Sequence, residues 1–350
     1  MKKFVKWTLI ILLPLLALYF AGPRVTADDL NKDLPEVPSD LIELQNFVAQ
    51  KEATFNNIKP DNEAEIVWFD SIPSVTEYCM VYLHGFSASR REGSPIHREL
   101  AKRYGCNLYL PRIAGHGLNE KEAMLDLSAE DMMKSAAEAI AVGKKIGKKV
   151  ILVTTSTGGT YGLYLAGNNP DIAGLVLYSP NIQIYDPNSA LLAKPWGLQL
   201  ARIVKGSDYH EWEISEDRAN YWTNKYRLEV LTELQALVET TMVPETFREV
   251  TQPVFLGYYY KSDEEQDNTV SVAAMLKMYD ELGTEASKKR KVAFPESGHH
   301  VIGCDLTSGA VDQVKLETEK FLEEVVGLEP YKMDTVTLTL MDVNEGLIAE

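Results

Sequence analysis

The chain has 350 residues, 45% hydrophobic and 25% charged, and its 35 Lys and Arg against 51 Asp and Glu leave a formal charge of −16. That composition is globular, with length enough for two domains or for one large α/β domain carrying an insertion. So acidic a body argues against nucleic acid as a partner, and three scattered cysteines, Cys79, Cys106 and Cys304, exclude a disulfide framework or a Cys-rich zinc site.

Residues 1–27 open with Lys2, Lys3 and Lys6, continue apolar from Trp7 to about Ala21, and reach small residues at Val25-Thr26-Ala27. This is the pattern of an export signal. Two readings stay open: a signal peptide cleaved after Ala27, or an uncleaved membrane anchor through residues 4–22. Pro14 would kink a permanent span, whereas Tyr19-Phe20 suits a membrane interface. On either reading the body is exported, held on the membrane facing outward or released.

Residues 28–62 read as a polar tether followed by a helix, with Ser39 or Asp40 capping an apolar-periodic stretch from Leu41 to Val48. Strands and helices then alternate. Strands are expected over 65–69, 78–83, 106–110, 149–154 and 173–178, with helices over 95–103, 128–145 and 157–166 between them. Apolar strands in a β-α-β-α order predict an α/β fold, a mostly parallel central sheet with helices on both faces. The rhythm stops across 181–250, where charged, aromatic, helical text reads as an inserted helical cap. It resumes over 251–327, so that 63–180 and 251–327 form one core. In the tail, 328–350, Thr335 to Leu340 alternates like an edge strand, and a disordered end is the other reading.

The window Lys149-Val-Ile-Leu-Val-Thr-Thr-Ser156-Thr-Gly158-Gly159 places a serine where a buried strand turns directly into a helix. Such a turn lifts the hydroxyl above the sheet and needs small neighbours where strand and helix meet. It also puts the Thr157 N–H at a helix N-terminus, where it can stabilise a developing oxyanion. Strand 78–83 ends in His84-Gly85-Phe86 at the same sheet edge, which makes the Phe86 N–H the natural second donor, with His84 shaping the loop. Thr154 departs from the usual glycine two residues before the serine, and a β-branched residue there crowds the turn.

With these windows and Arg112-Ile-Ala-Gly115-His116-Gly117, the chain from about Glu65 to Val326 resembles the α/β-hydrolase superfamily, in its serine carboxylesterase and monoacylglycerol-lipase-like branch. The resemblance implies a Ser-Asp/Glu-His triad in that chain order, an oxyanion hole from the two loops, and a cap forming an acyl pocket. It carries the base onto His300, which directly precedes Val301-Ile302, with His299 the alternative. It carries the acid onto Asp267, three residues before Val270, with Asp263 the runner-up.

The expected function is hydrolysis of a small carboxylic ester or acylglycerol by Ser156, His300 and Asp267, with Phe86 and Thr157 holding the oxyanion and no cofactor required. No metal site is expected, because the six histidines form no His-x-x-x-His pair. One rival is an aminopeptidase of the same fold, gripping a substrate ammonium with Glu211, Glu213 or Glu216. Another is a catalytically silent hydrolase fold used for binding, for which Thr154 is the hint.

Overall fold

A computed structural model of the chain describes residues 2–28 and 30–332. The first half runs α1 (Lys2–Phe20), α2 (Leu41–Ala53), β1 (Glu65–Val67), β2 (Thr76–Leu83), α3 (Ile96–Arg103), β3 (Asn107–Leu110), α4 (Ala129–Ile146), β4 (Gly147–Thr155), α5 (Thr157–Ala166) and β5 (Ile172–Tyr178). The second half runs α6 (Gly197–Lys205), β6 (Tyr209–Glu211), α7 (Glu216–Ala219), β7 (Lys225–Arg227), α8 (Glu229–Thr241), α9 (Pro244–Glu249), β8 (Val254–Tyr258), α10 (Val272–Glu281), β9 (Lys289–Ala293) and α11 (Val311–Phe321).

Seven strands form one sheet in the order β1-β3-β2-β4-β5-β8-β9. β1 is antiparallel to β3 and every other pairing is parallel. Alternation along each strand divides its side chains between two cores. Cys79, Val81 and Leu83 of β2 join Val150 and Leu152 of β4 beneath α4 and α5, while Met80 and Tyr82 join Ile151 and Val153 beneath α3 and α11. The helices therefore cover both faces, and β4 lies at the centre with its C-terminal end at the site.

Local chemistry sets the helix starts. Asp40 caps α2, accepting the Ile42 and Glu43 N–H groups, and Ser128 and Asp131 close a reciprocal capping box at α4. The polar stretch read as a tether lies along the body: Ala27 and Val37 are buried, the Tyr164 hydroxyl donates to the Leu30 carbonyl, and Lys32 pairs with Glu249. At the end of α1, the Trp196 indole of the cap donates to the Leu18 carbonyl at 3.1 Å. Among the described residues no helix is long and apolar enough to cross a membrane.

The cap occupies the connection between β5 and β8 and is not wholly helical. β6 and β7 pair antiparallel inside it, Tyr209 opposite Arg227 and Glu211 opposite Lys225. Three residues per strand are too few for a period-two pattern to show in the sequence. In the tail, the Tyr331 N–H donates to the Arg103 carbonyl and its ring packs edge-on to Phe69. The strand expected over Thr335 to Leu340 lies outside the described residues.

Candidate active site

Ser156 sits between β4 and α5 with φ 54° and ψ −120°, a conformation that strains any residue with a Cβ. The turn is held from both sides. The Ser156 N–H donates to the Tyr178 carbonyl at 3.0 Å, and its carbonyl accepts from Gly159 and Asn181 N–H groups at 2.9 Å each. The glycine after the turn is a steric requirement: a Cβ on Gly158 would stand 1.9 Å from the Leu83 carbonyl oxygen. Thr154 fits because its hydroxyl donates to the Val176 carbonyl of the neighbouring strand, while its methyl faces Gly162, where a Cβ would lie 3.3 Å away. The crowding expected at Thr154 is thus relieved across the strand and one helical turn along α5.

His300 and Asp267 come from loops after β9 and β8. His300 Nδ1 lies 2.5 Å from Asp267 Oδ2. The other carboxylate oxygen accepts the Thr269 and Val270 N–H groups at 2.9 and 3.1 Å, so the acid is fixed by the same turn that leads into α10. Burial pushes the Asp267 pKa up, but the His300 charge, its hydrogen bond and the two amides outweigh that and leave it lowered. Burial likewise opposes the charged form of His300, and Asp267 with Glu92 outweighs it, so the imidazole pKa is raised. His300 Nε2 is buried with no hydrogen-bond partner among the described residues.

The loop after β2 approaches Ser156 from the side. The His84 ring accepts the Ile113 N–H at Nε2 and so carries its proton on Nδ1, 2.9 Å from the Gly85 carbonyl. Burial, with His116 and Arg112 nearby, lowers its pKa to about 3, so it stays a neutral clamp. The Phe86 N–H takes no hydrogen bond among the described residues, and Thr157 is the first residue of α5, whose N–H has no acceptor within the helix. Ser156, Thr157, Phe86 and His300 all line one cavity of about 740 Å³. The cap contributes much of the lining, including the apolar side chains of Leu200, Leu228, Leu231 and Leu234.

A strained serine above the central strand, a buried acid on a histidine, and two open amides on residues that line one cavity can together perform nucleophilic acyl transfer. Residues 80–305 match the alpha/beta hydrolase family. The chain belongs to that family. Over 105 residues, 30% of its length, it is 30% identical to a thermostable monoacylglycerol lipase of Bacillus sp. (strain H-257), and the match spans 41% of that protein. Its fold is similar to that of a metagenome-derived lipolytic enzyme of the LipS and LipT pair, with TM-score 0.60, 17% identity, and 76% of this chain and 99% of the other covered. It is also similar to the monoacylglycerol lipase of Paleococcus ferrophilus, with TM-score 0.53, 17% identity, and coverage of 76% and 98%. At those identities the structural likeness is one of fold.

The other residues that the sequence offers are held in different contacts, although His299 and Glu213 also line the cavity. Asp263 accepts a hydrogen bond from the Tyr260 hydroxyl in an exposed loop. His299 accepts the Val301 N–H on Nδ1, with Arg218 3.2 Å from Nε2, and burial beside that guanidinium lowers its pKa to about 4. Cys304 is buried, and burial pushes its thiol up to about 11, far from a thiolate nucleophile. Of the three cap carboxylates, Glu213 lines the cavity, whereas Glu211 pairs with Lys225 and Glu216 opens α7 outside that lining. Among the described residues no group of three or more His, Cys, Asp or Glu could hold a metal ion.

Two acids that matter to the site were not singled out in the sequence. Glu52 of α2 forms a two-pronged ion pair with Arg112, whose guanidinium also donates to the His116 carbonyl and so fixes the Arg112–Gly117 loop. Its signal was available: Glu52 follows Leu44 and Val48 at helical spacing, on the apolar face of α2. Glu92 is buried behind the Gly85 loop and has no comparable signature, since Arg90-Arg91-Glu92 reads as a solvated charge run.

Proposed function

We propose that this hydrolase cleaves carboxylic esters through an acyl-enzyme on Ser156. The observation that carries the reading is the alignment of His300: its Nδ1 is tied to a buried carboxylate and its Nε2 is left free of protein partners in the cavity that Ser156 faces. His300 Nε2 takes the Ser156 proton as the hydroxyl oxygen bonds to the ester carbonyl carbon, and the Phe86 and Thr157 N–H groups hold the negative oxygen. Collapse of that intermediate breaks the bond to the alcohol oxygen, which leaves with the proton from His300. Water, deprotonated by His300, then attacks the acyl carbon, and the acid departs as Ser156 recovers its proton. Asp267 keeps the imidazole in one tautomer and stabilises its cation.

The leucines of the cap suit an acyl chain, and the resemblance to lipases supports an ester or acylglycerol as substrate. The basic, apolar N-terminal segment supports action outside the cytoplasm, on the membrane or released from it.

The test is hydrolysis of p-nitrophenyl esters from acetate to palmitate by the full chain in mild detergent, beside Ser156→Ala and with an amino-acid p-nitroanilide as control. Ester cleavage lost in Ser156→Ala is the expected result. Cleavage that survives the substitution, or a preference for the anilide, overturns the reading.

A further inference from the structure

Behind the loop that carries Phe86 lies a carboxyl group the mechanism above does not use. Glu92 is 2% exposed. Its Oε2 accepts the Gly85 N–H at 2.6 Å and faces the Tyr82 hydroxyl at 3.1 Å. That hydroxyl is in turn 3.0 Å from the Thr155 hydroxyl, on the residue before Ser156. The chain of groups Thr155, Tyr82, Glu92 and Gly85 therefore links the end of β4 to the loop after β2.

The link is tight as well as polar. A Cβ on Gly85 would stand 2.9 Å from Glu92 Oε1 and 3.0 Å from the Ser156 Cβ, so carboxylate, loop and serine pack against each other with room for glycine alone. Gly93 seats the other side: a Cβ there would fall 2.5 Å from the rings of His97 and Tyr82. Glu92 also lines the cavity with Ser156 and His300, and the Trp222 indole of the cap faces it.

We propose that Glu92 is a positioning residue of the hydrolytic site, fixing the Gly85 amide so that the following Phe86 N–H stays aimed at the oxyanion, and, when ionised, placing a negative charge toward His300. The inference rests on the esterase reading and deepens it. A buried carboxyl with no basic side chain hydrogen-bonded to it is costly to ionise, and burial pushes Glu92 up to about 7 against the pull of the Gly85 amide, His300, Tyr82 and Trp222. The groups facing it are Tyr82 from β2, Trp222 from the cap, and His300 and the Cys304 thiol from the loop after β9. Retaining an acid in that place, where an apolar residue would be cheaper, makes sense if its oxygen and its charge both serve the reaction.

The full chain, Glu92→Ala and Glu92→Gln are compared on p-nitrophenyl butyrate from pH 5 to 9, with Ser156→Ala as blank. Glu92→Ala removes the acceptor for Gly85, and kcat is expected to fall about 10-fold to 100-fold with KM nearly unchanged, as for a loosened oxyanion donor. Glu92→Gln keeps an acceptor oxygen and is expected to recover most of that kcat. It loses the charge, so His300 is easier to deprotonate and the acidic limb of kcat/KM moves to lower pH. A kcat in Glu92→Ala within about twofold of the unaltered chain overturns the proposal, as does an equal loss in both variants, or an acidic limb that stays in place in Glu92→Gln. Should Glu92→Ala fail to fold, the limb in the near-isosteric Glu92→Gln decides. Absence of Ser156-dependent hydrolysis in the unaltered chain overturns the esterase reading itself, whereas a robust Ser156-dependent esterase indifferent to Glu92 overturns this inference alone.

Discussion

Arg112 and Glu52 meet fork to fork, Nε 2.8 Å and Nη2 3.0 Å from the two carboxylate oxygens, with the guanidinium side chain 3% exposed. The pair ties a helix ahead of the sheet to the loop that borders the site. Glu52 also accepts the Ala64 N–H, so one carboxylate holds three segments. Glu52→Ala strands a buried cation and is expected to destabilise the fold by about 3–5 kcal/mol, read as a fall in the urea midpoint. An unchanged midpoint would mean that Arg112 finds water or another acid.

The backbone at Ser156 makes a second, opposite expectation. Its φ of 54° with ψ −120° suits glycine alone, so Ser156→Gly sheds about 1–3 kcal/mol of strain and gives back part of it as glycine's extra chain entropy. The variant should unfold at higher temperature than the unaltered protein while having no esterase activity. Ser156→Ala, which keeps the strain, should match the unaltered protein in melting temperature and the glycine variant in inactivity. Calorimetry on the three proteins decides it.

The pH profile follows from the His300 and Asp267 pair. On the mechanism proposed, His300 must be neutral to take the serine proton, and its pKa is raised above 6.5, so kcat/KM should climb with pH through an apparent pKa above that value. Asp267→Asn removes the attraction, and the limb should move down while the plateau falls by about 10³–10⁴. Stability moves in two windows. The contribution of His300, whose pKa is raised, is present below its unfolded value and lost as pH rises through its folded one. That of Asp267, whose pKa is lowered, is present above its unfolded value and lost as pH falls through its folded one. Rate profiles and melting temperatures across the same range test both.

Two glycines of α5 separate by their neighbours. Gly158→Ala would drive a methyl into the Leu83 carbonyl at 1.9 Å, a backbone atom that cannot yield, so α5 must shift and both folding and activity should suffer. Gly162→Ala meets the Thr154 methyl at 3.3 Å, and the better helix propensity of alanine, up to about 1 kcal/mol, offsets the squeeze. Its melting temperature should therefore stay close to that of the unaltered chain, where Gly158→Ala should fall well below it.

What could be read from the sequence was local. Strand positions, the helix start at Ser128 and the strand-to-helix turn at Ser156 depend on contiguous residues, and buried parallel strands announce themselves as apolar runs. His300 and Asp267 are far apart in the chain, and only resemblance selected them from neighbours of the same chemistry, His299 and Asp263. Glu52 stood on an apolar helix face and could have been found. Glu92 could not: its burial depends on Gly93 tucking against Tyr82 and His97, a tertiary fact with no periodicity. The β6–β7 pair has no signature in the sequence, because six paired residues with a helix between the strands carry no pattern.

β5 and β8 are hydrogen-bonded neighbours, Leu175 beside Val254 and Tyr178 beside Gly257, and the whole cap is strung between them. Ser156 therefore precedes the cap in the chain, while Asp267 and His300 follow it. On the mechanism proposed, a ribosome makes the nucleophile first, the roof over it next, and the base last. A half-synthesised or prematurely ended chain thus holds a serine with nothing to activate it, and activity arrives only once the substrate chamber is already enclosed.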